Sequence, residues 1–329
     1  MNLASNPSER AAIPRRILLL GATGTIGRAT LRELIRRGHS VVCLDRPKND
    51  GGRTQEGAVR RFVDVTDPGC VNKEGVRGER FDVLVSCMAS RSGTPKDAWQ
   101  VDYQGHVNAL AIARSTGVSQ FVLLSALCVQ KPRLTFQRAK LAFENLLIES
   151  GLAYSIVRPT AFFKSLSGQV ERVRRGKPFL VFGDGTLTAC KPISDHDLAV
   201  YIAECLDDPN RRNRVLPIGG PGDAITPLQQ AQTLFGVFGR PVRIRQVPLG
   251  LLDGIIGGLS VLGKWIPALE DKAEYARIGR YYATESMLVL DPITGRYDAL
   301  LTPSTGTETL YDHYVRLVKG DAGSESGNA

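Results

Sequence analysis

The chain has 329 residues, of which 43% are hydrophobic and 23% charged, a soluble globular composition that bounds one large domain or two linked ones. Lysine and arginine exceed aspartate and glutamate by 42 to 33, a formal charge of +9, but the excess is scattered in small knots such as Arg36-Arg37, Arg60-Arg61 and Arg211-Arg212, which read as solvated surface and not as a nucleic-acid arm. The six cysteines include no C-x-x-C pair, which excludes the usual zinc and dithiol spacings and fits a reducing cytoplasm.

Residues 1–15 form a leader with no apolar core, so it is not a signal peptide and is expected to be disordered. Arg16–Leu20 is a short apolar run, Arg28–Arg37 has helical period and is stopped by Gly38, and Ser40–Leu44 is a second apolar run. Strand, helix and strand in about thirty residues make a βαβ unit. His39, in the turn before the second strand, is expected to be exposed. Further strands are expected at Arg61–Val65, Phe81–Cys87, Gln120–Ser125, Ala153–Val157 and Val215–Ile218, with helices over Asp102–Thr116 and Thr135–Ser150 between them. This alternation implies an α/β fold: a Rossmann-type doubly wound parallel sheet, covered on both faces. It should occupy residues 16–160 and be completed by a strand near 215–220. A smaller C-terminal substrate lobe takes most of 161–319, with helices at Ser194–Leu206 and Thr226–Gly236, and a disordered tail follows from 320 to 329. Val247–Leu269 is apolar, but Asp253, Lys264, five glycines and two prolines interrupt it. It is too broken to span a bilayer. It reads as a packed or pocket-lining helix, the alternative being a surface that touches lipid or a greasy substrate.

Gly21-Ala22-Thr23-Gly24-Thr25-Ile26-Gly27-Arg28 has the spacing G-x-x-G-x-x-G, directly after a strand and at the opening of a helix. The first glycine permits the tight turn, the second lets backbone approach a pyrophosphate, and the third lets helix pack on strand. The helix N-terminus supplies N–H groups and a positive dipole end. A nicotinamide dinucleotide is therefore expected on Gly21, Thr23, Gly24, Thr25, Ile26, Gly27 and Arg28. The second strand ends Leu44-Asp45-Arg46-Pro47-Lys48. An acid there holds the ribose 2′-hydroxyl of NAD, whereas an arginine accommodates the 2′-phosphate of NADP. Arg28, Arg46 and Lys48 outweigh Asp45, so NADPH is the expected cofactor. Asp64 and Val65 should border the adenine, and Cys87-Met88-Ala89 the adenine ribose and pyrophosphate.

Together with that turn, Val101-Asp102-Tyr103-x-Gly105-x-x-Asn108 and Val157-Arg158-Pro159-Thr160 resemble the extended and atypical branches of the short-chain dehydrogenase/reductase superfamily, over residues 16 to about 220. The resemblance implies a catalytic tyrosine four residues before a lysine. Here Lys140 is present and Phe136 stands where the tyrosine would be. A phenyl ring transfers no proton, so ketone or alcohol chemistry by the usual route is not expected. Lys140 is implied to hold the nicotinamide ribose, and Ser125 falls where the superfamily places its catalytic serine. Two readings follow. The chain binds a dinucleotide without catalysis, as a redox sensor or respiratory-complex accessory subunit. Or it reduces a carbon–carbon double bond conjugated to a large π-system, which delocalises the charge left by hydride addition.

Three further runs favour the second reading: Lys131–Glu144, Arg158–Leu166, and Tyr281–Met287 followed by Leu290-Asp291. They resemble the divinyl chlorophyllide a 8-vinyl reductase family. The resemblance implies NADPH-dependent reduction of the 8-vinyl group of divinyl chlorophyllide a, a magnesium tetrapyrrole, to ethyl. The chain begins without the long leader of the plant members, which suggests a bacterial phototroph, with contact to its photosynthetic membrane left open. Phe136, Phe162 and Phe163 are candidates for a flat wall against the macrocycle. Arg158 or Lys164 is the candidate for its carboxylate. No histidine is singled out for the substrate's magnesium, and no protein metal site is expected. An isoflavone-reductase-like activity on another planar conjugated substrate remains a third reading.

Overall fold

The computed structural model describes residues 13–46, 57–263 and 265–320; most of the expected leader and tail, and Lys48, lie outside them. Five strands and three helices alternate through the first half: β1 (Arg16–Leu20), α1 (Thr25–Arg36), β2 (Ser40–Asp45), β3 (Ala58–Phe62), β4 (Val83–Ser86), α2 (His106–Ser115), β5 (Gln120–Leu124) and α3 (Thr135–Glu149). Then come β6 (Ala153–Pro159), β7 (Phe179–Phe182), α4 (Asp195–Glu204) and β8 (Arg214–Ile218). The main sheet has seven strands in the order β3-β2-β1-β4-β5-β6-β8, and every pairing in it is parallel. The strand near 215–220 thus closes one edge. The order reverses between β1 and β4, and such a switch point opens a crevice at the carboxyl ends of the strands.

The strands read as unbroken apolar runs because both faces are covered. Along β1, Leu18 and Leu20 face one core with Phe121, Phe143 and Leu147. Ile17 and Leu19 face the other core with Leu31, Leu34, Leu198 and Ile202. Burying each such side chain is worth roughly 1.5–3 kcal/mol. The later lobe has its own core of Phe163, Val173, Phe179, Leu234, Phe235 and Tyr314. It carries α5 (Pro227–Val237), β9 (Ile244–Val247) paired with β7, α6 (Leu249–Gly263), α7 (Pro267–Thr284), the small ribbon β10 (Val289–Leu290) with β11 (Tyr297–Asp298), and α8 (Leu310–Lys319).

Four expectations are corrected. The third strand is Ala58–Phe62, earlier than Arg61–Val65. Arg60 and Arg61 are not solvated surface, because Arg60 pairs with Asp45 at 2.9 Å and Arg61 with Glu79 at 2.6 Å. His39 is buried, its Nδ1 accepting the Arg15 N–H at 3.3 Å, so the segment before β1 covers it. Finally, α6 is not packed into a core: none of its described side chains is buried, and it lies along α7 as one arm of a hairpin.

Candidate active site

The turn between β1 and α1 is shaped by what its glycines exclude. Gly21 has φ +78°, and a Cβ there would lie 2.6 Å from the Cys87 carbonyl carbon. A Cβ on Gly27 would lie 2.0 Å from the Gly21 oxygen. These two positions lock the end of β4 and the start of α1 against the turn. Gly24 differs: the nearest atom to a Cβ there is the Gly21 oxygen, at 3.5 Å. Gly24 also caps α1 without a side-chain bond, so the first-turn N–H groups keep no side-chain partner. Open space over uncapped amides at a helix N-terminus is a cradle for phosphate, and the turn fits a dinucleotide. Thr23 offers its carbonyl to Arg28 Nη1 at 2.9 Å, and Ile26 is buried in the core below. Lys164 comes to this turn from the later lobe, donating to Thr25 Oγ1 at 3.1 Å.

At the adenosine end, Asp45 is buried and held by Arg60, while Arg46 is exposed immediately after β2. Asp64 accepts from the Thr66 hydroxyl at 2.7 Å and its amide at 2.9 Å. Those bonds hold its pKa below the usual range, with Arg46 nearby as a lesser cause. Val65 is buried, and its carbonyl accepts from Asn108 Nδ2 at 3.0 Å. Met88 is buried, Cys87 half-buried and Ala89 exposed at the mouth of the switch point.

Lys140 lies on α3, and its Nζ is 2.9 Å from Asp102 Oδ1, with both side chains largely buried. Asp102 sits in a wide π-helical segment, Ala98–Gly105, that runs into α2. It also accepts from the Ser90 amide at 3.2 Å and from the Ser90 hydroxyl at 2.5 Å. His106, next along, is clamped between Ser86 Oγ at 2.9 Å and the Val101 carbonyl at 3.1 Å. Burial, then the Lys140 charge, push its pKa down to about 4. Ser125 is buried and donates to Glu144, which Arg158 also grips. Ser125 and Arg158 therefore share one buried carboxylate.

Beyond β5 and β6 opens a cavity of about 380 Å³. Ala126, Pro159, Thr160, Ala161 and Phe162 form its sheet-side wall, and Cys190, Ile225, Tyr282, Glu285 and Met287 its far side. It continues past Leu166, Gln230 and Tyr282 into a second chamber of about 230 Å³ bordered by Phe179, Phe182 and Ala283. This is the volume and the apolar lining of a small-molecule site. Of the expected wall, Phe162 lines the cavity, Phe163 is buried in the lobe core, and Phe136 packs on the cluster of Cys128, Leu134 and Tyr281. Among the described residues no cluster suits a metal ion.

Two lining residues carry chemistry that the sequence did not single out. Glu285 is buried beneath Lys131 and Arg133, each 2.7 Å away, and accepts from the Tyr297 hydroxyl at 2.6 Å. Burial opposes its charge, yet these partners hold its pKa below the usual carboxylate range. Tyr282 places its hydroxyl 3.7 Å from Cys128 Sγ. Both lie on or just after α7, far in sequence from the strands they face. The only available signal was their place in the run Tyr281–Met287.

A family model described as NAD(P)H-binding matches residues 21–209. The divinyl chlorophyllide a 8-vinyl-reductase of Cucumis sativus is 50% identical, over 98% of this chain and 82% of that protein. The photosystem II assembly factor Ycf39 of Synechocystis sp. is similar at 26% identity over 92% of each chain. Among solved structures, the leucoanthocyanidin reductase–NADPH complex of Vitis vinifera matches with a TM-score of 0.66 at 16% identity, covering 92% of this chain and 99% of that one. A likeness at that identity is one of fold.

Proposed function

The chain belongs to the divinyl chlorophyllide a 8-vinyl-reductase family, whose members are NAD(P)H-dependent oxidoreductases, and on that premise we propose that it reduces the 8-vinyl group of divinyl chlorophyllide a to ethyl with NADPH. The observation that carries the reading is the apolar cavity at the carboxyl ends of β5 and β6, in a chain whose Lys140 has Phe136 in place of its usual tyrosine partner. A site without that acid suits a conjugated alkene, since the macrocycle itself spreads the charge that a carbonyl oxygen would concentrate.

A bound nicotinamide supplies a hydride. The chain's own residues do the rest. Gly24 and the first amides of α1 receive the pyrophosphate, with Lys164 at Thr25 adding a cation on the same side. Arg46 takes the 2′-phosphate, because Asp45 is already committed to Arg60 and is not turned toward a ribose. Lys140, fixed by Asp102, holds the nicotinamide ribose and keeps positive potential beside the reacting alkene. The paired chambers seat the flat pigment, with Phe162 on one wall.

No helix among the described residues is long and apolar enough to cross a membrane. The α6–α7 hairpin instead presents Leu251, Val261, Leu262 and Ile266 to solvent, with Trp265 85% exposed at its tip. An indole beside exposed aliphatics suits the headgroup level of a bilayer. We infer that this tip rests on the membrane that holds the pigment. Trp265 fluorescence should shift to the blue on adding anionic vesicles, and an unchanged spectrum refutes the contact.

The test of the activity is direct. Purified protein, NADPH and divinyl chlorophyllide a should give monovinyl product, seen as a moving Soret band and a new pigment on chromatography. Tight NADPH binding with no product overturns the reading in favour of a dinucleotide sensor.

A further inference from the structure

The vinyl reduction proposed above needs a proton as well as a hydride, and Phe136 cannot give one. The cavity wall narrows the choice of donor. Thr160 donates its hydroxyl to the Lys191 carbonyl. Thr226 Oγ1 donates to Gln229 Oε1 at 3.1 Å and accepts the Gln229 amide at 3.3 Å. The Gln230 amide is spent on the Leu166 carbonyl at 2.6 Å and the Tyr314 hydroxyl at 2.8 Å. Glu285 is held ionised by Lys131 and Arg133. Ser165 and Thr188 also line the cavity, but an aliphatic hydroxyl is a far weaker acid than a phenol or a thiol. Two stronger acids that carry a proton at neutral pH remain, Tyr282 and Cys190.

Their surroundings differ. The Cys190 backbone is tied to Ile225, and burial alone pushes its thiol up to about 12. Tyr282 differs in having a partner for its acidic group. Its hydroxyl meets Cys128, in the short turn Leu127–Gln130 that follows β5, and Cys128 lies within the field of Lys140. Phe136 packs on that same Cys128 cluster. Tyr282 itself is outside that cluster but touches its Cys128, so α7 delivers a phenol to the residue on which Phe136 packs, where α3 provides none. Tyr282 borders both chambers and is 41% exposed, while its hydroxyl lies against the buried Cys128. Burial, with Cys128 beside it, raises its pKa well above the ordinary value, so the proton is present throughout the neutral range.

The geometry points to Tyr282 as the proton donor of the reduction. This rests on the 8-vinyl reading. The vinyl group gains a hydride at its outer carbon, its π-pair passes into the macrocycle, and the inner carbon takes the Tyr282 O–H proton. The pair of the broken O–H bond stays on the phenolate oxygen, and water entering along the exposed ring returns the proton. One alkene is reduced, one reduced nicotinamide is oxidised, and one proton is drawn from solvent.

Tyr282→Phe and Tyr282→His separate this role from a structural one. Tyr282→Phe should bind NADPH within about twofold of the parent protein and lose turnover by about 100-fold or more. Run in D2O, the parent enzyme should place one deuterium on the inner carbon with a single stereochemistry, and the residual product of Tyr282→Phe should carry it scrambled. In Tyr282→His the donor has an ordinary pKa of about 6.5, so its rate should fall as pH rises through that value while the parent rate stays level. Unchanged turnover and stereochemistry in Tyr282→Phe, or a Tyr282→His pH profile like the parent's, overturns the assignment and leaves the 8-vinyl reading standing. No monovinyl product from the parent enzyme overturns both.

Discussion

The glycine turn and the cavity both lie at the carboxyl ends of strands of the main sheet but are built in opposite ways. The turn is a single stretch of backbone in which Gly27 and the Gly21 oxygen leave no room for a methyl group. The cavity wall is assembled from side chains near residues 126, 160, 190, 226 and 282, carried by separate segments. Backbone sterics fix the first, and the packing of small apolar clusters fixes the second. The cofactor side should therefore fail abruptly when atoms are added, whereas the cavity side should tolerate reshaping and fail in chemistry first.

The strongest way to break that contrast is Gly27→Ala. Its Cβ would sit 2.0 Å from the Gly21 oxygen. The helix must then move off the strand, at a cost of about 3 kcal/mol, and NADPH binding should be lost. Gly24→Ala is the matched control, because its nearest neighbour is 3.5 Å away. It should melt like the parent protein yet bind NADPH at least about tenfold more weakly. Thermal melts with and without cofactor read both effects. A Gly27→Ala protein that binds normally would show the turn to be more pliable than its geometry implies.

Next in size is the Lys140–Asp102 pair. Removing one member of a buried pair costs about 3–5 kcal/mol, because the other charge is left behind. Lys140→Met should therefore lower both stability and turnover. Adding Asp102→Asn to it should restore much of the melting temperature and none of the turnover. If turnover returns with stability, Lys140 acts only through the fold.

These two regions also differ in how far their sequence disclosed them. The turn was legible because three glycines at fixed spacing between strand and helix have few other uses. The main sheet was legible for the same local reason, its strands being continuous apolar runs. The edge strand β3 was misplaced because arginines hold its inward positions, satisfied by Asp45 and Glu79 from outside the strand. Tyr282 and Glu285 were not assigned roles because nothing local marks them. Their meaning comes from Cys128, Lys131 and Arg133, about 150 residues earlier, and only the fold joins them. Even Lys164, expected at a substrate carboxylate, is carried by the lobe to Thr25 at the glycine turn.

A smaller effect should appear in the pH dependence of stability. His106 is buried neutral, with a pKa of about 4 set by burial and then by Lys140, against the pull of Asp102. Unfolded, it titrates near 6.5. Between these values the unfolded chain binds the extra proton, so stability rises with pH there and is lost as pH falls from about 6.5 toward 4. The loss attributable to His106 approaches about 3 kcal/mol at the acid end. In His106→Gln the stability curve should be visibly flatter across that window, as read by denaturant midpoints. An equal slope in both proteins would place the acid sensitivity in the carboxylates instead.

The smallest effect tests the adenosine end, where the two sides of the comparison touch. Asp45 is the one residue of the second strand that argues for NADH, and the ion pair with Arg60 at 2.9 Å turns its carboxylate inward. Arg46, exposed one residue later, is then the candidate cation for a 2′-phosphate. A charge-assisted bond of that kind contributes about 1.5–3 kcal/mol. Arg46→Ala should weaken NADPH about tenfold or more and leave NADH nearly unchanged, which paired titrations of nicotinamide fluorescence can resolve. An equal loss for both would move Arg46 to the shared part of the dinucleotide. Any preference for NADPH would then have to come from Arg28, which folds back onto the Thr23 carbonyl at 2.9 Å within the turn itself.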